Sequence, residues 1–213
     1  MKSYLLIFLI VTIISRSYSQ SETENFDFGH LDDNKYISEF FHFEFTIPSN
    51  WVVQTKEEMD RLTEQGRELV AGDDEKLQAV FKASEINVAN LLAVFQFEKG
   101  APVDYNPSVM IIAENIADAP GIKTGSDYLF QTKKILEQGQ FKYDHIDEEF
   151  EKEVISETDF YKMNAEVKYL GLNIKQVYYS TIKKKFTLVV IISFVTEDQK
   201  NELLAAVHSL RFN

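Results

Sequence analysis

The chain has 213 residues and a formal net charge of −12, from 34 acidic and 22 basic side chains, and it contains no cysteine. The missing cysteine excludes disulfides, thiolate metal sites, cysteine nucleophiles and a cysteine-borne lipid anchor. The acidic balance opposes nucleic acid and anionic lipid surfaces, which both demand a basic footprint.

Residues 1–19 have the make-up of a signal peptide. Lys2 supplies the positive end, residues 4–14 an apolar stretch, and Ser17-Tyr18-Ser19 small residues at the two positions a signal peptidase reads, so cleavage is expected before Gln20. The stretch is shorter than the roughly 20 apolar residues of a spanning helix, and no later run reaches that length. The expected protein is therefore exported and soluble. Residues 20–35 are polar, acidic and aperiodic, which reads as a disordered lead. Residues 36–213 carry no Pro/Gly/Ser-rich break and read as one domain.

Over residues 41–47 apolar side chains alternate with His42, Glu44 and Thr46, the period of a strand with one buried face. Pro48 stops that strand, Ser49-Asn50 makes a turn, and Trp51 resumes apolar character. Phe43, Phe45 and Trp51 are assigned to the core and Pro48 to the turn. From Lys56 the spacing becomes helical, with Met59, Leu62, Leu69 and Val70 on one face, then Leu77, Val80 and Phe81 beyond a break at Gly72-Asp73-Asp74. On the exposed side of that region, Glu57 and Arg61 stand at the spacing of an i,i+4 ion pair. Strands are expected over 91–97 and 109–116.

Residues 124–127 have the form of a capping box, opening a helix that presents Leu129, Ile135 and Leu136 and ends near Gly139. Three or four strands should follow. Residues 163–169 alternate, Gly171 marks a turn, and residues 174–182 mix polar and aromatic side chains. Residues 186–194 are almost continuously apolar and β-branched, which demands burial on both faces. A second capping box at 196–199 starts a last helix with Leu203, Val207 and Leu210 inward. Short connections favour antiparallel pairing. The expected fold class is α+β: a mainly antiparallel β-sheet sandwiched between helices.

The two ends of the domain resemble the PsbP-like family. Phe43-Glu44-Phe45-Thr46-Ile47-Pro48-Ser49-Asn50-Trp51 is similar to that family's entry strand, proline, turn and tryptophan. The closing segment is similar too, with Ser193-Phe194, a capped helix, then Ser209-Leu210-Arg211-Phe212. The charged helical region over 56–87 departs from the family pattern. The family includes a photosystem II accessory subunit, Ran-binding import factors and uncharacterised envelope proteins, so the resemblance implies an antiparallel sheet between helices and docking to partners rather than catalysis. The matching positions are core and turn residues, so no functional residue carries over.

There is no nucleophile elbow, zinc-protease helix, phosphate-binding glycine loop or EF-hand spacing. Of four histidines, His30 falls in the lead, His42 on the polar face of the first strand and His208 near the last helix's C-terminus. His145 stands among Asp144, Asp147, Glu148 and Glu149, and on a strand His145 and Asp147 would share a face able to meet a divalent cation. Ser193 and Ser126 are the hydroxyls a hydrolase centred on His145 would have to recruit; Ser126 reads as a helix cap. Two surfaces qualify for a partner: the helical region over 56–83, and Tyr178-Tyr179 with Lys183 and its neighbouring lysines. The expectation is a non-catalytic accessory or binding protein of the envelope or extracellular space, without a cofactor, docking another exported protein. The alternatives are a small-ligand carrier with an apolar pocket under the 56–83 helices, and an unrecognised hydrolase or metal-assisted enzyme at His145.

Overall fold

A computed structural model describes residues 26–213, so the expected signal segment and the first residues of the expected lead lie outside the described chain. The elements run β1 (His30–Asp32), β2 (Lys35–Ser38), β3 (Phe43–Thr46), β4 (Val52–Val53), α1 (Lys56–Ala71), α2 (Glu75–Ser84), a 3₁₀ turn, β5 (Val88–Phe95), β6 (Ser108–Asn115), α3 (Gly125–Gln138), β7 (Tyr143–Ile146), β8 (Glu151–Ile155), β9 (Thr158–Tyr169), β10 (Leu172–Lys183), β11 (Phe186–Phe194), α4 (Glu197–Val207) and β12 (Arg211–Phe212). The main sheet has the order β4-β5-β6-β11-β10-β9-β7, with β8 also paired to β9, and a small sheet has the order β1-β2-β3-β12. All pairings are antiparallel.

The layering follows from β11. Its side chains alternate between two apolar environments, as a strand's must. Leu188, Val190, Ile192 and Phe194 meet Leu203, Val207 and Leu210 from α4 and the following turn, together with Phe43 and Phe45 of the small sheet. Val189 and Ile191 face the other way, into a core built with Val70 and Ala71 of α1, Leu77 and Phe81 of α2, and Leu129 and Leu136 of α3. One face of the main sheet is thus covered by α1–α3, the other by α4 and the small sheet. The fold class is α+β, an antiparallel sheet between helical layers.

Three helices open with reciprocal capping boxes, Thr55 with Glu58, Thr124 with Asp127 and Thr196 with Gln199. The capping oxygen of α3 is therefore that of Thr124, and Ser126 lies inside the first turn. Gly125 at the start of α3 lies so close to β10 that any Cβ there would collide with the Ser180 carbonyl. The turn after Pro48 has Asn50 in the left-handed region, φ 66°, which asparagine tolerates, and Trp51 N–H closes it on the Pro48 carbonyl at 3.2 Å.

Three expectations are corrected. The segment read as a disordered lead contains β1, the first strand of a hairpin with β2, held by scattered long-range contacts rather than by a local period. Phe26 stacks on Phe186 with centroids 5.4 Å apart, the Asp27 carboxylate accepts the Phe40 N–H at 3.1 Å, and Tyr36 Oη donates to the Phe28 carbonyl at 2.6 Å. The first alternating strand starts at Phe43, because His42 turns the chain with φ 54°. Five strands, β7 to β11, follow α3 where three or four were expected.

Candidate functional site

His145 sits on β7 with its side chain 57% exposed, and its Nε2 lies 2.9 Å from Asp147 Oδ1. The other Asp147 oxygen accepts both the backbone N–H and the side-chain Nδ2 of Asn164, each at 2.7 Å. Partial burial pushes the Asp147 carboxyl up, but the Asn164 backbone N–H, His145 and the Asn164 amide outweigh it and hold the group below the usual carboxylate range. Neighbouring Glu148 is taken by Lys133, a buried lysine of α3, at 2.6 Å. Among the described residues no group of three metal-ligating side chains forms here or elsewhere. Ser193 is buried and its hydroxyl pairs with Tyr105 Oη, not with His145. This pair and its neighbours pin the β7–β8 connection to β9 and α3.

The Tyr178-Tyr179 surface is corrected. Both side chains are buried at 1% exposure, because β10 lies inside the main sheet and both of its faces are covered. Tyr178 points toward α3 and donates to Gln176 Oε1 at 3.0 Å, while Tyr179 points into the opposite core. Lys183 is also engaged, donating to Thr158 Oγ1 at 3.0 Å with its ammonium 4.1 Å from the centre of the Phe212 ring. Of the residues assigned to the core, Phe43 and Phe45 are fully buried, and Trp51 is buried with its Nε1 donating to Glu202 Oε1 at 2.7 Å. Pro48 forms the turn that aims that indole at α4.

Two buried polar groupings carry no local sequence signal. Ser108, Ser193 and Gln176 form a row across β6, β11 and β10, and the phenols of Tyr105, Tyr143 and Tyr178 hydrogen-bond into it. Nearer the other end of the sheet, Glu114 accepts from Tyr128 Oη at 2.8 Å, with the Arg67 guanidinium close enough to feel its charge. Both groupings sit beneath the helices and act as specific polar joints within a packed core.

One concave feature that reaches the surface lies between the N-terminal half of α1, the end of β5 and the loop over 96–106. The loop is closed by Asn106, whose side chain accepts the Phe97 N–H at 2.9 Å and donates to the Phe97 carbonyl at 2.8 Å. Beneath it is a cleft of about 150 Å³ with Leu62, Phe95 and Val103 in its lining and Phe97, 36% exposed, at its mouth. Phe95 anchors the floor through a small core with Met59, Ala93 and Met110. Arg61 also lines the cleft. The i,i+4 pair expected with Glu57 does not form: Arg61 Nε instead donates to the Glu57 carbonyl at 3.3 Å. The ion pair on that face is Lys56–Asp60, at 2.6 Å. A second groove, between α1 and α2, is larger at about 570 Å³, but Glu64, Arg67, Glu68, Lys82 and Glu85 wall it. Under those helices Val70, Ala71, Leu77 and Phe81 pack directly on the sheet.

No protein-family model and no curated protein matches the chain. Among solved structures it is similar to PsbP from the cyanobacterium Synechocystis, with 14% identity, 84% of this chain and 91% of that chain covered, and a TM-score of 0.48. It is also similar to LpqN of Mycobacterium tuberculosis, a protein involved in cell envelope biogenesis, with 7% identity, coverage of 80% and 83%, and a TM-score of 0.42. A third similar structure is PA94 from Pseudomonas aeruginosa, a protein of unknown function, with 14% identity, coverage of 56% and 74%, and a TM-score of 0.36. At such identities and scores these likenesses assign no site and no ligand.

Proposed function

We propose that the protein is an exported, non-catalytic binding protein that docks a partner protein by seating one of its side chains in the cleft between α1 and the 96–106 loop. The observation that carries this reading is the cleft's size and lining. Its volume of about 150 Å³ is that of a benzene-sized group. Pockets for whole small ligands run to roughly 300–1,000 Å³. An apolar floor under a half-exposed aromatic is the form taken by the anchor pockets of protein interfaces. Export rests on the composition of residues 1–19.

The carrier alternative needs an apolar chamber under α1 and α2, where the side chains instead pack on the sheet. The hydrolase alternative needs polar groups converging on His145. That imidazole is exposed, and both oxygens of its Asp147 partner are engaged.

The test is to fill the cleft. Ala101 lines it from the loop and is half-buried, so Ala101→Trp occupies the space without entering the core. Captured from its native compartment, the wild-type protein should bring down a reproducible partner, Ala101→Trp should lose it, and Val154→Ala, on exposed β8, should keep it. Equal recovery by wild type and Ala101→Trp would refute docking through this cleft.

A further inference from the structure

We infer that β1 is a self-complementary edge through which two copies of the chain join their small sheets, antiparallel and centred on Leu31. β1 contributes nothing to the lining of the cleft, so this contact is separate from docking there. β1 ends the small sheet and pairs only with β2. The hairpin fixes which of its backbone groups are free. Asp32 and Lys35 flank the turn at Asp33-Asn34 and form a hydrogen-bonded pair, so the next pair, Leu31 with Tyr36, is a non-hydrogen-bonded one. The N–H and C=O of Leu31 therefore point away from β2, and among the described residues neither has a partner.

All three residues of β1 are exposed, Leu31 at 51%. Leu31 shares a face with buried Tyr36 and lines an apolar hollow there with Phe28, Val53, Met59 and Leu92. An open edge beside an exposed apolar side chain is a template for another strand. Other edges offer less. β4 and β12 have two residues each, β7 pairs irregularly, and β8 presents Glu151, Lys152 and Glu153.

The residues of β1 select a second copy. Outward backbone groups recur at every second position, so an antiparallel copy can set Leu31 against its own counterpart, against Gly29 or against Asp33. The Gly29 register puts His30 opposite His30, and the Asp33 register puts Asp32 opposite Asp32. The Leu31-centred register puts His30 opposite the second copy's Asp32, and two-fold symmetry repeats that pair. It also closes two N–H···O=C bonds between the leucines and brings their side chains together. The net charge of −12 opposes association, but at about 0.1 M salt the Debye length is roughly 10 Å, so the pairs in contact decide the register.

The experiment is sedimentation equilibrium of the purified protein and its variants at about 0.1 M salt, from about 10 µM to about 1 mM, the range of weak association. Wild type should show a reversible monomer–dimer equilibrium. His30→Asp sets carboxylate against carboxylate and should raise the dissociation constant about two- to thirtyfold, the range two cross-strand charge pairs supply. Adding Asp32→His to it exchanges the two charges and should restore wild-type association. Leu31→Pro removes an outward N–H and keeps the bonds to β2, as proline on an edge strand does, so it should abolish the dimer. A thermal midpoint near that of wild type at low concentration would certify its fold; should proline unfold the hairpin, the charge exchange alone decides. A wild type that stays monomeric throughout, a dimer that a folded Leu31→Pro leaves intact, a His30→Asp without effect, or a loss that the exchange fails to restore would each overturn the inference.

Discussion

Trp51 joins two layers through two physically separate contacts. Its ring is buried in the core between the main sheet and α4, and its Nε1 donates to Glu202 on α4. Removing the ring should cost about 3–5 kcal/mol, as large-to-small core substitutions do. Trp51→Phe keeps most of the burial and loses only a hydrogen bond to a partly exposed carboxylate, about 1–2 kcal/mol. Urea midpoints of the two variants should rank in that order. A Trp51→Phe as damaging as Trp51→Ala would mean that the Glu202 bond, not packing, holds the layers. Asp147 makes a prediction in pH. Its folded carboxyl is held below the usual range by Asn164 and His145 despite partial burial. The unfolded chain therefore binds more protons through that window, and stability rises with pH across it. The contribution is complete above about pH 4 and is lost as pH falls through the lower folded value. Asp147→Asn should flatten the acid limb of a plot of urea midpoint against pH. The Phe43 and Phe45 placements were legible because alternation names a buried face. The Tyr178-Tyr179 error has the same root. Two adjacent residues on a strand point to opposite faces, so a surface role for both requires a strand open on both sides, and β10 is covered on both.

At the scale of elements, legibility followed the period. β11 was readable as buried on both faces because it has no polar alternation, and α3 and α4 because their capping boxes mark the first turn. The Thr55–Glu58 box of α1 obeys the same rule, and its spacing stood in the sequence. β1 was unreadable because all three of its residues are exposed, and β7 and β8 because neither presents an alternating apolar face: the middle two residues of β7 are both exposed, and only Ile155 of β8 is buried. These strands exist through pairing to β2 and β9, which local spacing does not encode. The contact between α3 and β10 is also tertiary in origin, and it yields a prediction. Gly125→Ala places a methyl against the Ser180 carbonyl, backbone against backbone, so neither partner can swing aside. The cost should be about 1–3 kcal/mol by overpacking, despite alanine's better helix propensity. A stabilised Gly125→Ala, measured by thermal unfolding, would show that the helix can shift along β10 without penalty.

The whole molecule is a sheet whose two faces are both covered, one by α1–α3 and the other by α4 and the small sheet. Among the described residues no helix is long and apolar enough to cross a membrane. With its central strands closed in, the large apolar side chains left exposed among the described residues are Phe28 and Leu31 beside one another, Ile86, Phe130, Val154 and Leu170, and Phe97 above a cleft. That cleft could not be read from the sequence. Its walls come from α1 and from a loop more than a turn of chain away in sequence, and they meet only because α1 lies across β5. The helical region over 56–83 was readable as a candidate partner surface, but not the loop that completes it. The most direct measurement places a photoreactive amino acid at Phe97 and, separately, at Val154, and cross-links each chain in its native compartment. Docking through the cleft requires an adduct with one partner from position 97, lost when Ala101→Trp is added, and none from position 154. An adduct from position 154 alone, or one from position 97 that Ala101→Trp leaves undiminished, would contradict it.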